Sequence, residues 1–261
     1  MKQIFERNLE EATITIQSLL GTMVQESQIL ELFGGKVATT TNEFVPDLKK
    51  KNAIVMVGKS CCGKTTFAEK FVKKHPEFKI VSMDKCAFEE MSSLNRNELI
   101  LLLYTRGVEE MGLSSFSKHL ERGKQVIIDG GWMHLNSRIA LIKTLRELGY
   151  TITILDFLGI PEAEYQKRVE GRALQNIATD LLKIDMLIHP YGYDFVQAFA
   201  SKYHITKSEA EVKLRSHPSF REVLSKLVED LKQEESEVIL DVQIKYGWLA
   251  FGADFIYQIN F

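Results

Sequence analysis

The stretch "IVMVGKSCCGKTTF", residues 54–67, decides the fold of this chain. An apolar run ends at Gly58, a second glycine follows at Gly63, and Lys64 and Thr65 come directly after it. The spacing fits the pattern G-x-x-x-x-G-K-[ST], in which glycines let the backbone curl around a phosphate chain and successive N–H groups point at its oxygens. We therefore expect a buried strand before this loop and a helix after it.

The residues expected to hold a nucleotide form one continuous run. In such a loop, called a P-loop, Lys64 would reach the β- and γ-phosphates of ATP and the Thr65 hydroxyl would be a ligand of Mg²⁺. Cys61 and Cys62 stand where the backbone does the binding, so we interpret their side chains as fillers. The predicted nucleotide site comprises Gly58, Lys59, Ser60, Cys61, Cys62, Gly63, Lys64, Thr65 and Thr66.

Apolar runs and helical segments alternate after residue 52. The runs are 53–57, 79–83, 125–129 and 151–158, and the helical segments are 63–74, 84–122, 135–148 and 161 onward. Strands separated by helices require crossover connections, which are right-handed and give a mainly parallel sheet covered on both faces. The sequence predicts an α/β, doubly wound fold, the P-loop nucleoside triphosphate hydrolase fold. Ligands of such sheets bind beyond the carboxyl ends of the strands.

The two ends of the chain differ from this alternating region. Residues 1–50 predict an N-terminal helical extension and a connector, with a short strand or loop after two consecutive glycines. Residues 51–235 predict the main domain, with a lid at about 160–216. Alternating apolar and polar residues in 236–261 predict a C-terminal antiparallel hairpin, packed on the same domain as an edge element.

Aspartates close three of the predicted strands. Asp84 follows the second apolar run, where it would orient and deprotonate an attacking hydroxyl or else cap the next helix. Asp129 closes the third run and is suited to hold Mg²⁺, as is Asp156 near the end of the fourth. We favour Asp129 because Gly130 and Gly131 after it leave room for a ligand.

Two arginines follow the fourth strand. Arg168 and Arg172 are one helical turn apart and share a helix face, from which their guanidinium groups would neutralise charge on a transferred phosphate. In the alternative interpretation Arg168 pairs with Glu164 on the same helix. The nearby aromatic segment "IHPYGYDF", residues 188–195, would contact a small acceptor or pack on the core.

Four motifs together resemble the P-loop kinases of the polynucleotide kinase and zeta-toxin type, within the AAA-like P-loop NTPase superfamily. They are GKSCCGKT at 58–65, SMD at 82–84, IIDGGWMHLNSR at 127–138 and PEAEYQKRVEGR at 161–172. The resemblance implies transfer of the γ-phosphate of ATP to a hydroxyl group. It also implies Mg²⁺ as the accompanying metal.

The resemblance assigns roles to particular residues. It implies Asp84 as the general base, Asp129 near the acceptor or metal, Arg168 or Arg172 as the lid arginine, and Arg138 at a substrate-binding position. Polynucleotide kinases often have an arginine three residues after the catalytic aspartate, and that position is Ala87 here. This departure argues against a nucleic-acid acceptor.

The composition agrees with a small acceptor. Charged residues make up 26% of the chain and the formal net charge is −2, so no global positive charge favours a phosphate polymer. We expect a phosphotransferase acting on a small-molecule or nucleotide-like hydroxyl. The alternatives are a kinase of polynucleotide 5′-hydroxyls, and a nucleotide-gated protein without kinase activity whose residues 1–50 bind a partner.

Cysteine usage and apolar patterning bear on the compartment. Three cysteines, Cys61, Cys62 and Cys86, cannot pair evenly, which argues against a disulfide framework and favours the reducing cytoplasm. No uncharged apolar run approaches roughly twenty residues, so neither export nor membrane insertion is expected. The six histidines have no metal-binding spacing.

Overall fold

A computed structural model describes most of the chain. It covers residues 7, 36–39, 46–92, 113–130, 135–157, 159–182, 193–239 and 252–259. The chain divides into two compact units, Met1–Gly159 with Ser236–Phe261, and Ile160–Glu235, and each is treated by itself below. None of the described helices is long and apolar enough to cross a membrane. The helices predicted within residues 1–35 lie outside the described residues, except for Arg7, which is helical.

The first unit contains a six-stranded sheet in which every described pairing is parallel. The strands are β1 Lys36–Thr39, β2 Asn52–Val57, β3 Lys79–Ser82, β4 Gln125–Asp129, β5 Thr151–Asp156 and β6 Phe255–Gln258, in the spatial order β1-β6-β5-β2-β4-β3. The helices described in this unit are α1 Lys64–Lys74, α2 Met83–Ser92, α3 Leu113–Arg122 and α4 Leu135–Glu147. The predicted α/β class is confirmed.

The core of this unit explains why the strands are continuous apolar runs. Every residue of β2 is buried, as expected for a central parallel strand covered on both faces. Val55 and Ile128 of the sheet pack in one cluster with Phe116 of α3 and Leu141 of α4. Burying such side chains stabilises the fold by about 1.5–3 kcal/mol each.

Parallel pairing places the carboxyl ends of the strands along one edge of the sheet. In the register, Val57 is opposite Asp156, and Ser82 is opposite Asp129. The backbone N–H of Phe157 also donates to the Val57 carbonyl at 2.8 Å, which fixes the exit of β5 beside the exit of β2. The loops after these strands, where ligands of such sheets bind, therefore begin side by side.

The prediction of a C-terminal hairpin at the edge of the sheet is wrong for the strand that the structure describes there. Phe255–Gln258 is an interior strand, paired in parallel with β1 on one side and β5 on the other. Residues 240–251 of the predicted hairpin lie outside the described residues. Lys36–Thr39, predicted as a strand or loop, is the edge strand of this sheet among the described strands, so residues 1–50 are not only a helical extension. Alternating polarity in 236–261 predicted strand structure at this end of the chain but carried no information about the partners of the strand.

The second unit is helical. Its helices are α5 Glu162–Leu182, α6 Phe195–Lys202, α7 Lys207–Arg215 and α8, which begins at Phe220 and ends at Ile239 in the first unit. Leu174 and Ile177 of α5, Phe199 of α6 and Leu214 of α7 share one core. The predicted lid falls within this unit.

Candidate functional site

The loop between β2 and α1 has the backbone that its glycines predict. Gly58 and Gly63 have φ values of 153° and 103°, which side chains rarely allow. A Cβ on Gly58 would lie 2.8 Å from the Cβ of Phe157 and 2.9 Å from the sulfur of Cys62. Glycine at position 58 therefore lets the loop lie directly against the end of β5. Cys61 has a φ of 66°, an uncommon conformation for a residue with a side chain.

The interior of this loop is electropositive. Lys64 is buried, and its ammonium donates hydrogen bonds to the carbonyls of Gly58 and Lys59, each at 2.7 Å, and to the sulfur of Cys62 at 3.5 Å. Gly63 is the N-cap residue of α1 and provides no side-chain hydrogen bond to the first turn. The first N–H groups of a helix have no partners within the helix and favour anions. The loop thus fits a phosphate chain.

Thr65 and Asp129 meet at the edge of the loop. The Thr65 hydroxyl donates to Oδ2 of Asp129 at 2.7 Å. Burial raises the pKa of the Asp129 carboxyl, and the charge of Asp84 raises it further, while the Thr65 hydrogen bond and the charges of Lys64 and Lys85 act to lower it. Asp129 is on β4, whereas Asp156 is on β5 at the other side of β2. The hydroxyl of Thr65 therefore contacts Asp129, the aspartate favoured from the sequence.

This pair fits Mg²⁺ by its chemistry. Magnesium prefers oxygen ligands, keeps several waters and is usually bound through one or two carboxylates with substrate phosphates. A hydroxyl and a buried carboxylate beside a phosphate-binding loop supply those donors. No group of three or more His, Cys, Asp or Glu side chains in the described parts of the chain forms a metal cluster.

Asp84 lies in the first turn of α2, with its side chain exposed. The helix begins at Met83, one residue before Asp84, and the Lys85 N–H donates to Oγ of Ser82 at 3.5 Å. The alternative in which Asp84 caps the next helix does not hold, because Asp84 is already inside that helix. The charge of Asp84 acts to raise the pKa of Asp129. Asp84 follows β3 and Asp129 ends β4, and these two strands are neighbours in the sheet.

The three arginines have different surroundings. Nε of Arg168 donates to Oε1 of Glu164 at 2.8 Å, the pairing that i,i+4 spacing allowed, and this hydrogen bond lowers the pKa of Glu164. Arg172 on the same helix is exposed and has no ion pair among the described residues. Arg138, on α4, is only 1% exposed. Its guanidinium is therefore in the protein interior.

The aromatic segment is described only in part. His189 and Tyr191 lie outside the described residues, as does His134. Tyr193 is 45% exposed and its ring meets that of Phe195 edge to face, with 5.0 Å between centroids. Phe195 packs against the core of the second unit, so the packing interpretation applies to that residue.

Two side chains at the P-loop make contacts that the sequence did not predict. The sulfur of Cys62 contacts the ammonium of Lys64, and Phe157 supports the backbone at Gly58. The only signal for Cys62 was its position within the loop, and for Phe157 its position after a strand-ending aspartate. Sequence position alone does not predict either contact, because both depend on the three-dimensional course of the loop.

Residues 54–184, just over half of the chain, match a family model described as AAA domain. A search of curated proteins found no match. Among solved structures, the chain is similar to one described as the PezAT chromosomal toxin–antitoxin system of Streptococcus pneumoniae. The identity is 15%, the match covers 82% of this chain and 98% of that chain, and the TM-score is 0.37. A likeness at that level supports no inference about function.

Proposed function

The chain belongs to the AAA domain family, a class of P-loop NTPases, and from that membership we propose that it is an ATP-dependent kinase. The proposed reaction moves the γ-phosphate of ATP to a hydroxyl of a small-molecule or nucleotide-like acceptor. The observation that supports it best is the pair of aspartates beside the P-loop. Asp129 is buried and accepts a hydrogen bond from Thr65. Asp84 is exposed to solvent, from which an acceptor would arrive.

The residues in and around the P-loop have distinct roles in the proposed reaction. Lys64 and the loop amides bind the phosphates, and Thr65 with Asp129 would hold Mg²⁺. When bound, Mg²⁺ supplies charge neutralisation at the phosphate oxygens. Asp84 orients the acceptor hydroxyl and accepts its proton on a carboxylate oxygen, while the hydroxyl oxygen attacks the γ-phosphorus and the bond from that phosphorus to ADP breaks. Most of the catalysis is then positioning and charge stabilisation.

Between the two candidate lid arginines we favour Arg172. Its side chain is exposed, whereas Arg168 is already engaged with Glu164. A guanidinium aimed at the transferring phosphate has to be available to it, and an existing ion pair competes for that role. Arg168 would then serve its own helix through the ion pair with Glu164. The burial of Arg138 favours a structural role over direct contact with the acceptor.

The charges of the second unit support a small acceptor over a polynucleotide. Lys207 pairs with Asp194 at 2.6 Å, and Arg215 pairs with Glu170 at 2.7 Å. Cations already paired with carboxylates contribute little to binding a phosphate backbone, which depends on releasing counterions. Steeply salt-dependent binding of a 5′-hydroxyl oligonucleotide would reverse this choice.

Substitution of the proposed base tests the function. The full chain is incubated with Mg²⁺, γ-labelled ATP and a pool of nucleosides, 5′-hydroxyl oligonucleotides and amino sugars. We expect label on one acceptor class. Asp84→Asn should bind ATP nearly as the wild-type chain does and lose transfer by about 10²- to 10⁴-fold, because it lacks the proton acceptor.

The result that removes Asp84 from this role is transfer by the variant at more than about a tenth of the wild-type rate. ATP binding by the wild-type chain without transfer to any acceptor would instead favour a nucleotide-gated protein. Titration calorimetry on both proteins separates the binding result from the transfer result.

A further inference from the structure

We propose that Cys62 is a positioning residue for Lys64, and that its sulfur is the acceptor which a nucleotide phosphate replaces. The inference rests on the proposed binding of ATP. Cys62 is fully buried, and its sulfur is 3.5 Å from Nζ of Lys64. The thiol therefore does more than fill space in the loop, since it takes part in holding the lysine that reaches the phosphates.

The donors of the Lys64 ammonium group limit how this side chain can bind a phosphate. An ammonium group has three N–H donors and no acceptor. The three hydrogen bonds of Lys64 run to the Gly58 carbonyl, the Lys59 carbonyl and the Cys62 sulfur. All three donors are thus used within the loop. A phosphate oxygen that accepts a proton from Lys64 has to take the place of one of these acceptors.

The three acceptors are not equally strong. The two carbonyl contacts are 2.7 Å long, whereas the contact to sulfur is 3.5 Å long. Sulfur is also a weak hydrogen-bond acceptor compared with a carbonyl oxygen. Exchange for a phosphate oxygen therefore costs least at Cys62. The carbonyls of Gly58 and Lys59 then keep the ammonium in place while its third proton turns to the phosphate.

This arrangement gives the thiol a measurable effect on affinity. When the sulfur is removed, one N–H of a buried ammonium loses its protein acceptor in the nucleotide-free protein, which raises the free energy of that state. The nucleotide-bound protein has already exchanged the sulfur and is affected less. Loss of the thiol should therefore strengthen ATP binding, whereas a thiol that only fills space would weaken binding when removed.

The test is titration calorimetry on the full chain with MgATP and with AMP. We expect Cys62→Ala to bind MgATP about two- to tenfold more tightly than the wild-type chain, the range that one modest hydrogen bond supplies. Affinity for AMP should not change, because AMP lacks the phosphates that the motif lysine reaches. Cys62→Ser restores a neutral acceptor and should return the affinity for MgATP toward the wild-type value.

A matched control removes a buried thiol elsewhere. Cys86 on α2 is 2% exposed, and burial raises its pKa to about 11, so it is an inert buried cysteine. Cys86→Ala should lower the melting temperature about as much as Cys62→Ala and leave the affinity for MgATP unchanged. If Cys62→Ala does not fold, Cys62→Val takes its place with the same expected tightening.

The outcomes separate this inference from the proposed function. Weaker or unchanged MgATP binding in the folded variant overturns the inference, and so does an equal change for AMP. Wild-type binding of ATP still supports the proposed function in both cases. Absence of ATP binding by the wild-type chain overturns the proposed function and the inference with it.

Discussion

At the scale of single residues, the P-loop depends on the absence of a side chain at Gly58. A methyl group there would meet the Cβ of Phe157 at 2.8 Å, and the carbon of the Phe157 backbone at 3.3 Å. These atoms belong to a buried strand end and cannot turn away as a flexible side chain would. The loop and the end of β5 would have to separate, and that separation moves the amides expected to bind phosphate.

Substitution of this glycine tests the close approach. Gly58→Ala should lower the free energy of unfolding by about 1–3 kcal/mol, as overpacking does, and abolish ATP binding. Gly171→Ala is the matched control, because a Cβ on that helical glycine meets nothing within 4 Å. It should raise the free energy of unfolding by roughly 0.4–1 kcal/mol. Urea denaturation measures the free energy of unfolding of both variants. A change of the same sign in the two would contradict a special role for the close approach at Gly58.

At the scale of elements, α6 begins with a capping carboxylate. Asp194 accepts hydrogen bonds from the Gln197 N–H at 2.9 Å, from Gln175 at 3.2 Å and from Lys207 at 2.6 Å. Burial alone would raise the pKa of Asp194, but these three donors outweigh it and hold the pKa below its ordinary value. The ionised cap therefore stabilises the junction of α5, α6 and α7.

The depressed pKa fixes the sign of a pH effect. The contribution of Asp194 is fully present above the unfolded-state pKa of about 4, and is lost as pH falls through the lower native value. Asp194→Ala should cost about 0.5–2 kcal/mol at pH 7, the usual loss for a helix cap. The difference from the wild-type chain should shrink below about pH 4. Thermal unfolding across this range checks it, and a constant difference would exclude the ionised cap as its cause.

The elements that the sequence predicted well are those decided locally. The strand, glycine loop and helix at 52–74 follow from one continuous pattern, and the Arg168–Glu164 pair follows from spacing within one helix. Contacts between segments far apart in the chain were not predictable in this way. Asp129 was chosen over Asp156 on the glycines after it, but the hydrogen bond from Thr65 depends on the order of strands in the sheet.

At the scale of the whole molecule, one side of the sheet of the first unit combines strands that are far apart in the sequence. β6 lies between β1 and β5, although β1 and β5 come much earlier in the sequence. Within the described residues β1 is the edge strand, and β6 has a partner on both sides. An isolated alternating segment at the end of the chain suits either an edge hairpin or an interior strand. Only the assembled sheet distinguishes them.

Proline substitutions test the interior position of β6. Successive residues of a parallel strand point their N–H groups to opposite neighbours. Ile256→Pro and Tyr257→Pro should therefore each remove a ladder hydrogen bond, leave a carbonyl unpaired and lower the free energy of unfolding by at least about 1–3 kcal/mol. Along the edge strand, one of Val37→Pro and Ala38→Pro should be much milder, because one of these N–H groups points away from β6. Urea unfolding followed by circular dichroism measures all four variants. A mild effect at either position of β6 would place that strand at an edge, as the hairpin prediction requires, because an interior strand has no N–H group that can be lost without disturbing a neighbour.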